Sequence, residues 1–273
     1  MKRFFIVGLG MMGSSYAKKL SSLGYQVFGY DQDELTVNKA LALNIIKSAS
    51  LNELSKVDMV ILTLYPKDNV LFLKENLDRF NEKQIITDIA GVKLPMLSEI
   101  ESFLPKSFSY LSHHPMAGSE KSGIDGLNET IFKGANFLII SNKHANQVAE
   151  EALRNLAKDL EFGAIKVIDA ETHDKMIGLT SQLPHMLAVS LVNSDSHEDT
   201  RLFSGDSYRD LTRIASINDV LWIELFNENK EFLLNDMERF QSSFNELYEA
   251  LKNNDIETLK TKLVNARKKR DLY

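Results

Sequence analysis

Apolar positions arrive in short solid runs through the first half of the chain and at helical spacing through the second. Phe4-Phe5-Ile6-Val7 is unbroken apolar sequence, the pattern of a strand covered on both faces. A helical stretch follows over residues 11–23, and Gly24 stands where a helix end calls for left-handed backbone. Residues 26–30 read as a second strand and 34–43 as a helix, with Ile45-Ile46 after it. The runs 59–64 and 84–88 are further strands, and 108–111, 136–140 and 165–168 read as strands extending the same sheet. Strands alternating with helices imply βαβ units and a mainly parallel sheet.

Past residue 169 the strand-like runs stop. Residues 172–196 read as one helix with a kink at Pro184, whose ring removes a ladder hydrogen bond. Residues 219–252 carry Trp222, Leu225, Phe226, Phe232, Phe240 and Phe244 at helical spacing. Such a stretch is too apolar to lie free in water. A homodimer formed through these C-terminal helices is expected to cover it.

Composition narrows the class. With 44% hydrophobic and 26% charged residues among 273, the chain has ample material for a packed core. A net charge of −6 runs against a nucleic-acid partner. The absence of cysteine excludes disulfides, thiolate zinc sites and a cysteine nucleophile, fits a reducing compartment, and leaves no metal expected. The opening Met1-Lys2-Arg3 precedes an apolar run too short for a signal peptide, and no stretch approaches the roughly 18 apolar residues of a membrane span. A soluble cytoplasmic protein without a membrane partner is expected. The basic run Arg267-Lys268-Lys269-Arg270 reads as a solvated helix end that complements the macrodipole.

Gly8-Leu9-Gly10-Met11-Met12-Gly13 is a GxGxxG directly between a predicted strand and a predicted helix, which is the context a dinucleotide fingerprint requires. Gly8 permits the tight turn, Gly10 a close approach of backbone to a pyrophosphate, and Gly13 tight packing of helix on strand. Asp31 ends the second strand 18 residues after Gly13. A carboxylate there accepts ribose hydroxyls and repels a 2′-phosphate, favouring NAD over NADP. Leu64 and Tyr65 at the end of the third strand, and Asp88 at the end of the fourth, join these as candidate cofactor contacts. Asp33 reads as a cap of the following helix. The expected architecture is a Rossmann-type α/β domain over residues 1–168 and an all-α domain for dimerisation and substrate binding over 169–273.

Polar residues concentrate in four segments: His113-His114-Pro115-Met116-Ala117-Gly118-Ser119-Glu120-Lys121-Ser122-Gly123, then Thr172-His173-Asp174, Ser181-Gln182-Leu183-Pro184-His185, and Asp210-Leu211-Thr212-Arg213-Ile214-Ala215. In this order, behind the fingerprint, they resemble the prephenate dehydrogenase family of tyrosine biosynthesis over nearly the whole chain. The resemblance implies a dinucleotide-binding domain, a helical dimer domain, and NAD-dependent oxidative decarboxylation of prephenate to 4-hydroxyphenylpyruvate.

By resemblance, His114 takes the proton of the ring hydroxyl as hydride departs, a task that suits a group titrating near neutrality. His113, its neighbour, points the other way if the strand continues. Arg213 is implied as the carboxylate anchor, for which a planar guanidinium fork is well shaped. Glu120 and Asp210 are its candidate ionic partners at the substrate site. His185 is implied to face the substrate, with Ser181 one turn earlier on the same helix face. His173 is implied near the site entrance, its residue-level alternative being a polar opening to a helix. Trp222 is expected to pack and to shape the pocket.

Two positions depart from the family pattern. Gly91, in Asp88-Ile89-Ala90-Gly91-Val92-Lys93, stands where the family often carries a serine, and Gln182 replaces a common histidine. Both bear on the choice between prephenate and its aminated relative arogenate. The rival readings are arogenate dehydrogenase, a hydroxyacid or imino-acid dehydrogenase, and a non-catalytic NAD-binding dimer. No regulatory or chorismate mutase domain is expected within this length.

Overall fold

The computed structural model describes residues 2–119 and 121–272. Its first half alternates β1 (Arg3–Val7), α1 (Met11–Ser22), β2 (Gln26–Tyr30), α2 (Glu34–Ala42), β3 (Met59–Leu62), α3 (Pro66–Asn76), β4 (Ile85–Asp88), α4 (Leu94–Phe103) and β5 (Ser109–Tyr110). These five strands form one parallel sheet in the order β2-β1-β3-β4-β5. Alternate residues of each strand feed two different cores. Phe4, Ile6, Met59 and Ile61 join the cluster on one face, Phe5, Val7, Val60 and Leu62 that on the other. Burial on both faces is why these strands read as solid apolar runs rather than alternating ones. Local signals act as expected: Gly24 takes φ 83° after α1, and Asp33 accepts the amides of Leu35 and Thr36 to cap α2.

The later strands do not all extend that sheet. β6 (Ser112–Pro115), β7 (Phe137–Ser141) and β8 (Ile165–Asp169) make a separate three-stranded sheet in which β6 runs antiparallel to β7. Only β5, from the run 108–111, extends the first sheet. The chain crosses between sheets at Leu111, whose amide still bonds Ile86 while Ser112 already pairs with Ile140. Periodicity marks a strand but not its partners, so this division was not readable from sequence. α5 (Gln147–Asp159) spans the β7–β8 crossover.

Helices follow to the end: α6 (Ala170–Ile177), α7 (Leu183–Asn193), α8 (Thr200–Phe203), α9 (Asp206–Thr212), α10 (Asp219–Glu228), α11 (Lys230–Lys252) and α12 (Ile256–Arg270). The kink expected at Pro184 takes the form of a π-helical turn, Gly178–Gln182, between α6 and α7. A proline that cannot donate leaves an acceptor unpaired one turn earlier, and a wider turn accommodates this. The stretch 219–252 is two helices that meet at Asn229. No helix among the described residues is long and apolar enough to cross a membrane.

β6 behaves as a strand, so its two histidines face opposite ways. His113 is fully buried, stacked on Phe137 at 4.6 Å between ring centroids. Its Nε2 pairs with the Tyr16 hydroxyl at 2.8 Å and its Nδ1 with Thr87 Oγ1 at 2.6 Å. Burial, reinforced by nearby Lys93 and opposed by Asp88, pushes its pKa down to about 3. An unfolded histidine takes up a proton near pH 6.5, which the folded one refuses until about pH 3. Stability is therefore complete above pH 6.5 and lost below it, by up to about 1.4 kcal/mol per pH unit. The thermal midpoint should fall between pH 7 and pH 5, and fall less steeply in His113→Gln, which keeps polar partners but does not titrate. Parallel slopes for the two proteins would show that His113 is not the group responsible.

Candidate active site

The turn after β1 is built to receive an anion. Gly8 has φ 91°, and a Cβ on Gly13 would lie 1.9 Å from the Gly8 carbonyl oxygen, so neither position accepts a side chain. Around Gly10 the space is open, with nothing within 4 Å of where a Cβ would sit. No side chain caps α1 and no acidic residue lies in its first turn, which leaves its amides and positive dipole end directed outward. Leu9 is buried, its side chain in the core. Its amide donates to Asp31 Oδ2 at 2.7 Å, tying the acid at the end of β2 to the turn. Leu64 follows β3 and crowds Gly8, while the Tyr65 hydroxyl accepts from Asn218 at the head of α10. Met11 lies beside Gly126, and Met12 packs on the core. These residues fit a dinucleotide: an open glycine where a pyrophosphate approaches, and a carboxylate one strand away for the ribose.

The second half of the site stands on β6, the continuation of β5 past the carboxyl edge of the parallel sheet. Ligands of open α/β sheets bind along that edge. The hydrogen bond between Tyr16 on α1 and His113 joins that helix to this strand. His114 Nδ1 pairs with His173 Nε2 at 2.8 Å, and His173 Nδ1 pairs with Asp174 Oδ1 at 2.6 Å. Asp174 in turn accepts the amides of Lys93 and Leu94 at the start of α4, at 2.7–3.1 Å. Burial holds the pKa of His114 well below its ordinary value, and His173, Lys93 and His113 push the same way.

Beneath lies an ion pair. Lys93 Nζ is 2.7 Å from Asp88 Oδ1 and donates to the His113 carbonyl at 2.8 Å, with both side chains fully buried. Asp88 also accepts the Tyr110 hydroxyl and the Ala90 amide. Burial alone would raise its pKa, but Lys93 and the hydrogen bond from Tyr110 hold it below the usual carboxylate range.

Opposite stand the helices. His185 Nδ1 donates to the Ser181 carbonyl at 2.8 Å, and its ring lies 3.7 Å from that of Trp222. Leu225, one turn along α10 from Trp222, would touch a Cβ at Gly91. The loop below His114 thus abuts the helix that carries Trp222.

Comparison with known proteins finds two family models along the chain. Residues 16–166 match the family described as "Prephenate dehydrogenase, nucleotide-binding domain" and residues 169–265 "Prephenate dehydrogenase, dimerization domain". A prephenate dehydrogenase of Lactococcus lactis is 32% identical over 90% of this chain and 70% of its own length. That of Bacillus subtilis is 26% identical over 93% and 71%. The crystal structure of the Aquifex aeolicus prephenate dehydrogenase in complex with hydroxyphenyl propionate and NAD+ superposes with a TM-score of 0.88 at 29% identity, covering 99% of this chain and 97% of that one. The chain belongs to the prephenate dehydrogenase family.

Measured against the residues expected of a prephenate dehydrogenase, the structure brings His114 and His173 together, and Ser181, His185 and Trp222 together. It corrects two expectations. Asp88 is no cofactor contact, because it is wholly buried under Lys93. His173 is not at the entrance but lies behind His114 with no exposure. Gln182, one of the two departures from the family pattern, is buried, donates to the Leu225 carbonyl and accepts from Asn229. Arg213 and Asp210 are exposed, Arg213 on a 3-10 turn (Arg213–Ala215) packed on α7. Glu120 lies outside the described residues.

Sequence reasoning missed Lys93, Asp174 and Asn229 as supports of the site. A lysine between Val92 and Leu94 just before a helix was the available signal, since a charge in an apolar setting asks for a partner. The glycine geometry makes a paired prediction. Gly13→Ala should lower stability by roughly 1–3 kcal/mol through overpacking. Gly10→Ala should keep the thermal midpoint yet weaken NAD binding at least about tenfold, measured by calorimetry. Unchanged NAD affinity in Gly10→Ala would remove the phosphate from this turn.

Proposed function

We propose that the protein is an NAD-dependent prephenate dehydrogenase that converts prephenate to 4-hydroxyphenylpyruvate and carbon dioxide. The observation that carries this reading is His114, held neutral by burial and oriented by His173 at the carboxyl edge of the dinucleotide-binding sheet. When bound, NAD accepts the hydride from the ring carbon that bears the hydroxyl. His114 Nε2, bonded to no side chain among the described residues, takes the hydroxyl proton as the carbon–oxygen bond gains double-bond character. Departure of the ring carboxylate as carbon dioxide leaves its bonding pair in the ring, which becomes aromatic. His114 then returns the proton to the phenolic oxygen, so no proton is gained or lost overall.

Two carboxylates make prephenate strongly anionic, and this chain offers Arg213 as the fork for one of them. His185, its ring tilted against that of Trp222 and its Nδ1 committed to Ser181, presents Nε2 as a further polar contact. Its pKa is lowered by burial, against the pull of the Ser181 carbonyl. Asp31 favours NAD over NADP, since a carboxylate repels a 2′-phosphate. The protein works as a homodimer: Leu202, Phe203, Val220, Ile223, Phe244 and Leu251 are each more than half exposed on the helices of the single chain.

The direct assay is formation of reduced nicotinamide with prephenate or arogenate under NAD or NADP. Turnover with prephenate and NAD is expected. Activity with arogenate alone would move the substrate assignment, and silence with both, from a folded protein that binds NAD, would leave a cofactor-binding protein without this reaction. His114→Asn should reduce kcat by about 10²–10⁴ while NAD affinity stays unchanged. Light scattering should give twice the chain mass of 30.9 kDa, and Phe203→Asp with Phe244→Asp should shift it toward one chain.

A further inference from the structure

The hydrogen bonds around His114 form a directed chain whose polarity is legible from its far end. Asp174 receives three bonds from the amides of Lys93 and Leu94, where α4 begins and its dipole favours negative charge. A carboxylate used in this way only accepts. The remaining partner, His173 Nδ1, therefore donates to it. Burial keeps His173 below its ordinary pKa in spite of Asp174, so the ring is neutral and its Nε2 bears a lone pair. His114 Nδ1, 2.8 Å away, must then carry the hydrogen. Only one nitrogen of His114 is left with a lone pair, and it is Nε2. His113 cannot set this arrangement, since it faces the opposite side of β6 and is bonded to Tyr16 and Thr87. Residue 91, in the adjoining loop, has no side chain to offer.

We infer that His173 and Asp174 are positioning residues that hold His114 in the Nδ1–H tautomer and so keep its Nε2 lone pair available to the substrate hydroxyl. This builds on the proposed reaction, but its physical content, a tautomer imposed from the start of α4, is independent of turnover. Asp174 also joins the two halves of the molecule. Its side chain caps α4 of the nucleotide-binding half, while its carbonyl accepts from Asn229, which also bonds Gln182. The proton position on the acceptor therefore depends on a residue shared by both halves.

Asp174→Asn isolates the effect. The amide oxygen can still accept from Lys93 and Leu94, so the helix start stays capped, but the amide nitrogen now donates to His173 Nδ1. His173 must then carry its hydrogen on Nε2, and His114 is driven to the tautomer protonated on Nε2. The expected result is a fall in kcat of about 10²–10⁴ with the KM for prephenate and the NAD affinity unchanged. Adding His173→Gln should restore activity at least about tenfold over Asp174→Asn alone, because a glutamine amide can rotate to offer its oxygen to His114. A purely structural role predicts the double variant to be no better than the single one. Nitrogen NMR of histidine-labelled enzyme, with the His114 signal assigned by its loss in His114→Asn, reads the tautomer directly. Nε2 should be unprotonated in the parent and protonated in Asp174→Asn. A parent enzyme with Nε2 protonated, or parent-like kcat in Asp174→Asn, overturns the inference, and the first of these is decided even if the variant fails to fold. A tautomer switch in a protein that does not turn over prephenate keeps the positioning and removes the proposed reaction.

Discussion

A fully buried ammonium group imposes conditions on everything around it. Lys93 meets them with one carboxylate, Asp88, and one carbonyl, that of His113. Desolvation of two charges makes such a pair a weak net source of stability, but removing one partner leaves a buried charge at a cost of roughly 3–5 kcal/mol. What the pair supplies is position. It ties the end of β4 to the loop before α4 and to the backbone of β6, whose next residue is His114. The carbonyl it holds belongs to the peptide that sets which way His114 projects. The amide of the same lysine is one of those capped by Asp174. Side chain and main chain of one residue thus secure both the strand under the acceptor and the chain of rings behind it.

This arrangement explains why the two departures from the family pattern can coexist with an ordered site. Glycine at 91 removes a side chain from the loop, and Leu225 of α10 closes over the space at ordinary contact distance from where a Cβ would sit. Glutamine at 182 replaces an imidazole at a position that faces the packing between α6, α10 and α11 rather than the substrate. Its amide supplies a donor to the Leu225 carbonyl and an acceptor to Asn229, both needed where α10 gives way to α11. Buried polar groups of this kind are tolerated because each has its partner.

Two acids at strand ends of the first sheet show how one residue type takes different roles by depth. Asp31 follows an outer strand, partly buried, with an oxygen bonded to the glycine turn and capacity left for a ligand. Asp88 ends a central strand and has no exposure at all. From sequence both are acids at strand ends in a nucleotide-binding fold. Nothing local distinguishes them, because depth depends on the order of strands and on Lys93 folding back from five residues ahead.

The sequence by itself determined the fingerprint, the run of βαβ units, the helical second half, and the opposed directions of His113 and His114. All of these follow from local rules: which residues tolerate positive φ, which runs are buried on both faces, and the period of two along a strand. It also carried the family likeness through His114, His185 and Arg213. Tertiary structure alone decided that β6 leaves the first sheet for a second, that the helical stretch opens into a π turn before Pro184, and that His173 stands behind His114 instead of at the entrance. The first and last of these depend on contacts between residues distant in sequence, such as Ser112 with Ile140, His114 with His173 and Lys93 with Asp174. Hydrogen-bond partners at that separation are chosen by packing, and packing is a property of the assembled chain.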